Sequence, residues 1–432
     1  MKRVKKKDSP MTVNTPLRGR KYSSHAALGL ALMSVGAVAQ VPHTFAPGQS
    51  ASAQQMNENF SSLDERMTVL LGSQEPITIN CEQNPSALDD AVGLGYRNIS
   101  IEAGSCSVGW TLNRDVLVIR GTPDSTDVAI RPSFGIEGDN FYNEQGVLLL
   151  ENLRLEGALV QQQGEAILRG VTIDCALLRA RDPNAYSIIL NQTQVLLENV
   201  VTTGCNGIEA TASNINVLGS TIEAPPGGQV LSLRDQSTLY SGVSNWLSSD
   251  TAASWKINIG TASSAVFNGG RIKSGVYGAN AQLVIRDLVL EPNGPGQIQI
   301  AAHFLTDLTL RNVPLQNVGI SNFAGGNIHI GDDPNNTHSN VEMSMDGGYL
   351  SFGGAFTGTN ITARIQSGTR VTVGAWEAGD QQVNNDTVFS LSPGAWIDYT
   401  ATIGVTVGGI NCMFGLELRD YFSEQTCWEP LP

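Results

Sequence analysis

The chain has 432 residues, a formal net charge of −14 and only 15% charged residues. Forty acidic against 26 basic residues argue against a nucleic-acid or anionic-membrane partner. With 46 glycines and 6% aromatics, and no long run of helix formers after residue 95, the composition does not suit a helical protein.

Residues 1–39 read as a signal peptide of bacterial type. Lys2, Arg3, Lys5, Lys6, Lys7, Arg18, Arg20 and Lys21 form a basic region, and an apolar run from Ala26 ends in Ala37-Val38-Ala39. Small-x-small before Gln40 is a cleavage pattern, and Met11 offers a second start. At about 14 residues the apolar run is short for a membrane span. Removing eight of the 26 basic and one of the 40 acidic residues leaves 18 against 39, a net of −21. The remaining lysines are Lys256 and Lys273. A secreted chain of this charge, with no membrane contact after leader removal, presents a solvated acidic face.

Residues 40–76 are expected to hold a linker with turns at Pro42 and Pro47, then one helix over 52–71. Ser52 and Gln55 make a capping-box pair, and Gly72 supplies the stop. Met56, Phe60, Leu63, Met67 and Leu70 alternate spacings of four and three, an apolar stripe. Packing on the end of the fold and assisting an oligomer both fit that stripe. The stretch from Phe45 to Phe60 resembles a short leader found ahead of secreted or phage-tail-like bacterial domains.

From residue 77 onward short strands dominate: Ile77-Thr78-Ile79, Ile99-Ser100-Ile101 and Val116–Ile119, with a short helix from Ser86 to Val92. Ser86 is its expected N-cap and Asp89 stands in the capping-box position. A six-residue unit then recurs, as in Leu150-Glu151-Asn152-Leu153-Arg154-Leu155. Further copies start at Leu168, Leu197, Ile285 and Leu310; degenerate ones start at Val217, Phe267 and Met345, and longer ones at Ile365 and Leu391. A hidden copy is expected near Leu239–Val243. The unit is a strand end, a corner and a strand start, and Asn, Asp or Gly at the corner tolerates the left-handed backbone. Most spacings fall between 18 and 29, which means stacked units rather than one globular core. Helical repeats need about 33 residues each, and leucine-rich repeats need a regular frame that is absent. A parallel β-helix tolerates the irregularity, and stacked strands let Asn corners form ladders. The expectation is an all-β, right-handed parallel β-helix over 77–410 with roughly ten to thirteen coils, a short N-terminal helix, and a C-terminal cap over 411–432. Of Leu153 and Leu155, Val171 and Ile173, Leu288 and Leu290, and Val313 and Leu315, the second of each pair is expected inside.

The helix ahead of Ile99-Ser100-Ile101-Glu102-Ala103-Gly104, together with the repeats, resembles the pectate-lyase-like superfamily with its pectin lyase fold, over about residues 77–410. That resemblance implies the fold and leaves activity open, since the superfamily includes lyases, hydrolases, tailspikes and adhesins.

Six cysteines in a chain read as exported suggest disulfides. Six allow 15 pairings, and sequence neighbours suit the plan: Cys81 with Cys106 at the N-terminal cap and Cys412 with Cys427 at the C-terminal one. Cys175 and Cys205 follow consecutive repeat starts by seven and eight residues, so they are expected on one outer corner of adjacent coils.

Polygalacturonase-like members carry Asn-Thr-Asp, an Asp pair, Gly-His-Gly and Arg-Ile-Lys in order. Here Arg271-Ile272-Lys273 stands without Gly-His-Gly, and the Asp pairs Asp89-Asp90 and Asp332-Asp333 are out of order. The Trp-Ile-Asp-His signature of pectate lyases is absent. Arg271 and Lys273 remain the weak catalytic candidates, and outward-facing cations by strand alternation. Gly331–Thr337 reads as a loop in which Asp332 and Asp333 are weak calcium candidates without EF-hand spacing; no other cofactor is expected. His303, His329 and His338 show no metal spacing. The primary reading is a secreted non-catalytic extracellular rod: surface, adhesive or polysaccharide-binding, its partner a polysaccharide or cell-surface component. The alternative is a polysaccharide lyase or glycoside hydrolase acting on acidic polysaccharide through a divergent site.

Overall fold

The computed structural model describes residue 58 and residues 75–109, 116–122, 128–132, 140–250, 255–292, 296–332 and 336–354. It also describes the strands 357–365, 369–374, 387–391, 396–399, 403–407, 410–414 and 418–421. The leader at 1–39, the linker and, Glu58 apart, the helix expected at 52–71 lie outside these residues. The chain forms two compact units, Met1–Gln40 and Val41–Pro432; every element below belongs to the second.

That unit is an all-β parallel solenoid of about 11 turns. Three sheets of 16, 9 and 14 strands form its faces. One turn shows the scheme. Val147–Glu151 lies in the first sheet, Arg154–Leu155 in the second and Ala158–Gln162 in the third; Glu165–Arg169 then returns to the first, parallel to and in register with Val147–Glu151. Every neighbouring pair from Ile77–Asn80 to Trp396–Tyr399 in the first sheet is parallel. The C-terminal strands reverse this. Leu418–Tyr421 runs antiparallel on Trp396–Tyr399, and Ile410–Phe414 antiparallel on Ile403–Val407. A returning strand pairs the edge that would otherwise recruit another chain.

The corner residues explain the turns. Asn152, Gly170, Asn199, Asp287 and Asn312 all have φ between 52° and 59°, the left-handed region. The corner side chains ladder where they can. Asn312 Nδ2 donates to Asp287 Oδ1 at 2.7 Å, and Asn336 Nδ2 to Asn312 Oδ1 at 2.8 Å. Gly170 leaves room for the Asn152 carboxamide, since a Cβ there would lie 2.7 Å from Asn152 Oδ1. The hidden copy is the strand Thr238–Ser241, between Asn214–Leu218 and Ser264–Asn268.

Strand alternation fills the interior. Leu148 and Leu150 point in while Leu149 points out, and the inward set forms one continuous core. Leu155, Ile173, Leu290 and Leu315 are buried as expected, but so are Leu153, Val171, Leu288 and Val313. The expectation of one buried partner per pair is corrected: residues two apart share a face, so both enter the core. A second correction concerns phase. The units at Met345, Ile365 and Leu391 end strands of the third sheet (Thr337–Met345, Thr357–Ile365, Thr387–Leu391), whereas earlier copies end strands of the first. Apolar-corner-apolar patterns arise at more than one corner, so the pattern alone does not identify which.

At the N-terminal end, the helix Ala87–Gly93 packs on Ser105–Val108 and Ile77–Asn80, sending Leu88 and Ala91 into the core. Its expected capping box does not form. The Ser86 side chain makes no cap bond; Asp89 Oδ1 instead accepts from Gly109 N at 3.2 Å. Asp89 thus ties the helix to the strand it covers. Disulfides join Cys81 to Cys106, with Cα atoms 5.1 Å apart, and Cys175 to Cys205, 5.7 Å apart. The first sits in the main core. The second sits in a separate cluster with Ala158, Leu178 and Ala185, under the lateral segment that follows Cys175. Cys427 lies outside the described residues. Two disulfides fit an oxidising compartment.

Candidate functional site: an exposed aromatic column

Four consecutive strands of the third sheet each bring one aromatic or imidazole ring to its outer face: Trp255 from Trp255–Ile259, Tyr277 from Gly275–Ala279, His303 from Ile298–His303 and Phe323 from Gln316–Phe323. Parallel stacking sets strands ~4.8 Å apart; Trp255 stands opposite Gly275 and Tyr277 opposite Ala301, so the first three rings meet on a diagonal across the sheet, while His303 and Phe323 are in register. Ring centroids are 5.1 Å apart for Trp255–Tyr277, 5.1 Å for Tyr277–His303 and 5.9 Å for His303–Phe323. Phe304 adds a fifth ring, 6.4 Å from His303 and 6.2 Å from Phe323, both edge-on. The column spans about 14 Å over three coil steps.

These rings are not core. Trp255 is 42% exposed, Phe304 44% and Phe323 51%, and the adjoining Leu305 is 77% exposed. A contiguous exposed apolar patch on a face otherwise rich in polar side chains marks an interaction surface. Phe304 makes the point sharply. Its corner holds a left-handed backbone in other coils too, as at Gln192, Ala212, Ala262 and Asn280 with φ 49° to 55°; Phe304 adopts φ 49° there. A bulky ring is a poor choice for that conformation. The corner accounts for the backbone angle and gives no reason for the ring.

The local electrostatics suit an uncharged ligand. Burial among the rings lowers the His303 pKa below the ordinary histidine value, so the imidazole is neutral at neutral pH and stacks as another aromatic. Earlier on the same sheet, burial raises the Tyr186 hydroxyl pKa and Glu209 adds to the rise. Arg234 Nη2 meets Glu209 Oε1 at 3.1 Å, so that cluster closes on itself.

The candidate residues read from sequence lie elsewhere. Arg271 and Lys273 flank fully buried Ile272 on the second sheet, as alternation requires. Arg271 Nη1 is paired to Glu291 Oε2 at 3.2 Å. Other carboxylates of that sheet are likewise held by arginines: Glu156 by Arg131, and Asp174 by Arg154 at 2.9 Å. Asp332 ends the strand Asn327–Asp332, opposite Gly354. This corrects the expected loop: strands take its two ends because the coil pairing continues through Asp332 and resumes at Thr337. Asp333 lies outside the described residues. Among the described residues no group of three or more His, Cys, Asp or Glu side chains is arranged to hold a metal ion.

The aromatic column was missed in the sequence although a signal exists. Trp255, Tyr277, His303 and Phe323 are 22, 26 and 20 residues apart, one coil each. Fold and site together define a parallel β-solenoid with an exposed aromatic column on one sheet. No protein-family model, no curated protein and no solved structure matches this chain.

Proposed function

We propose that this chain is a secreted, non-catalytic β-helix of pectate-lyase-like type that binds a neutral polysaccharide along its aromatic column. The carrying observation is the chain of ring contacts through Trp255, Tyr277, His303, Phe304 and Phe323, exposed or half-buried on successive coils. Sugar rings present C–H faces that pack on aromatic rings, and Tyr277 adds a hydroxyl for hydrogen bonding. A polymer matches a site that repeats from coil to coil. Net charge after the leader, −21, disfavours a polyanion. The arginine-paired carboxylates of the second sheet favour binding over catalysis, because their oxygens are already engaged by guanidinium donors and are less open to a calcium ion.

The test is affinity electrophoresis of the secreted chain through gels cast with neutral glucans, mannans and uronate polymers, each with and without calcium. Retardation by a neutral polymer, without product release, is expected. Retardation by none of them refutes the polysaccharide reading, and unsaturated product from a uronate polymer establishes the lyase alternative. N-terminal sequencing of exported material should begin at Gln40.

A further inference from the structure

The outward residues on one flank of the ring diagonal are small, with one exception. Ile298, Ile300, Val318 and Ile320 enter the core, so Gln299, Ala301, Gly319 and Ser321 face outward. Tyr277 stands opposite Ala301, and Gln299 opposite Gly319. Tyr277 and Gln299 are therefore diagonal neighbours, one coil step and two residues apart, about 8 Å between backbones. The two positions that complete the square are Gly275 and Ala301, which offer no side chain and a single methyl.

Gln299 is half-buried, and its carboxamide occupies space that any side chain at 319 would fill. A Cβ on Gly319 would lie 2.6 Å from both Nε2 and Oε1 of Gln299 and 2.9 Å from its Cδ. The polar edge thus leads into the space over Gly319. Neither atom has a hydrogen-bond partner among the described residues. Other carboxamides of this solenoid pair with one another. On the strand of Trp255, Asn258 Nδ2 donates to Gln229 Oε1 at 2.7 Å; at a corner, Gln163 joins Gln145 and Gln192 at 3.0 and 3.1 Å. Gln299 departs from that pattern beside the exposed rings.

We propose that Gln299 sets the specificity of the aromatic column, selecting polymers whose pyranoses carry two adjacent equatorial hydroxyls, as glucans do, over mannans. This rests on the column being the sugar-binding surface. A pyranose packed with its C–H face on an aromatic ring holds equatorial hydroxyls at its rim, in its own plane, and an axial hydroxyl out of that plane. A carboxamide beside the rings meets the rim. It offers an acceptor and a donor side by side, the match for one hydroxyl that donates and a neighbour that accepts. Mannose differs from glucose only in turning one of those hydroxyls axial. A site built to bond a hydroxyl discriminates against a sugar that cannot make the bond, because its own polar atom is left unpaired.

Titration calorimetry of the full chain with cellohexaose and mannohexaose tests this, on the native protein and on Gln299→Ala, Gln299→Met and Trp255→Ala. The native protein should bind cellohexaose about tenfold more tightly than mannohexaose. Both Gln299 variants should keep the native melting temperature and bind the two sugars equally. Methionine preserves the length and removes the polar edge, so a Gln299→Met variant that still prefers cellohexaose would overturn the role. Equal affinity of the native protein for the two sugars would do the same. In either case, lost binding in folded Trp255→Ala would leave the column standing as the binding surface. Binding of neither hexaose by the native protein would overturn the assignment whatever the gel electrophoresis shows.

Discussion

Replacing both Cys175 and Cys205 by alanine tests the stacking of coils. The bond closes a loop of 30 residues between adjacent turns. In the chain-entropy account such a loop removes about 12 cal/mol/K from the unfolded ensemble, or about 3.6 kcal/mol at 25 °C. The sulfurs lie in a fully buried cluster with Ala158, Leu178 and Ala185, so truncation adds about 1 kcal/mol of lost packing. Each turn of a solenoid contacts only its neighbours, and the loss should stay local. Hydrogen exchange followed by mass spectrometry resolves this. Amides in Tyr186–Asn191 and Asn206–Thr211 should exchange faster, by up to about two thousandfold, the ceiling that the combined loss of about 4.6 kcal/mol allows. Those in Gln282–Arg286 and Asp307–Arg311 should not change. Uniform acceleration throughout the chain would refute the stacked-unit reasoning, and no acceleration near the bond would refute the assigned pairing.

Three further outcomes follow from named residues. Leu290→Asp places a carboxylate at a position 4% exposed and should lower stability by several kcal/mol, on the order of 3–5; an unchanged melting temperature contradicts the core assignment. Gly170→Ala adds a Cβ at φ 59°, 2.7 Å from Asn152 Oδ1, and should cost about 1–2 kcal/mol in denaturant titrations, whereas a neutral result would remove the corner argument. Burial lowers the His303 pKa in the folded chain, so the unfolded chain binds more protons near pH 6.5. The stability tied to His303 is therefore complete above about pH 6.5 and declines as pH falls through that value toward the folded pKa. His303→Gln should lose less melting temperature than the native chain between pH 7.5 and 5, and identical slopes would remove His303 as the cause.

The fold was legible because its corners are written in residue types. Asn152, Gly170, Asn199, Asp287 and Asn312 hold a left-handed backbone that few residues accept, and apolar strands flank each. What escaped was the identity of the corner: Met345 sits in the same pattern as Leu310 but on another sheet, because the motif is local and the sheet assignment depends on every intervening turn. The disulfide Cys175–Cys205 was legible from its offset within the repeat. The capping role given to Asp89 was not, because its true partner, Gly109, is distant in sequence. The aromatic column was hidden for a related reason. Trp255, Tyr277, His303 and Phe323 meet only after three coils are stacked, and each is unremarkable alone.

The most direct test of the proposed role is the double variant Trp255→Ala/Phe323→Ala, measured by calorimetry against the neutral polysaccharide that retards the native chain. Both rings are about half-exposed, so the melting midpoint should shift by no more than about 3 °C. Each aromatic anchor contributes about 1–2 kcal/mol to a binding hot spot, so affinity should fall by at least about 30-fold. Undiminished affinity in a folded double variant would contradict the assignment of this column as the binding surface.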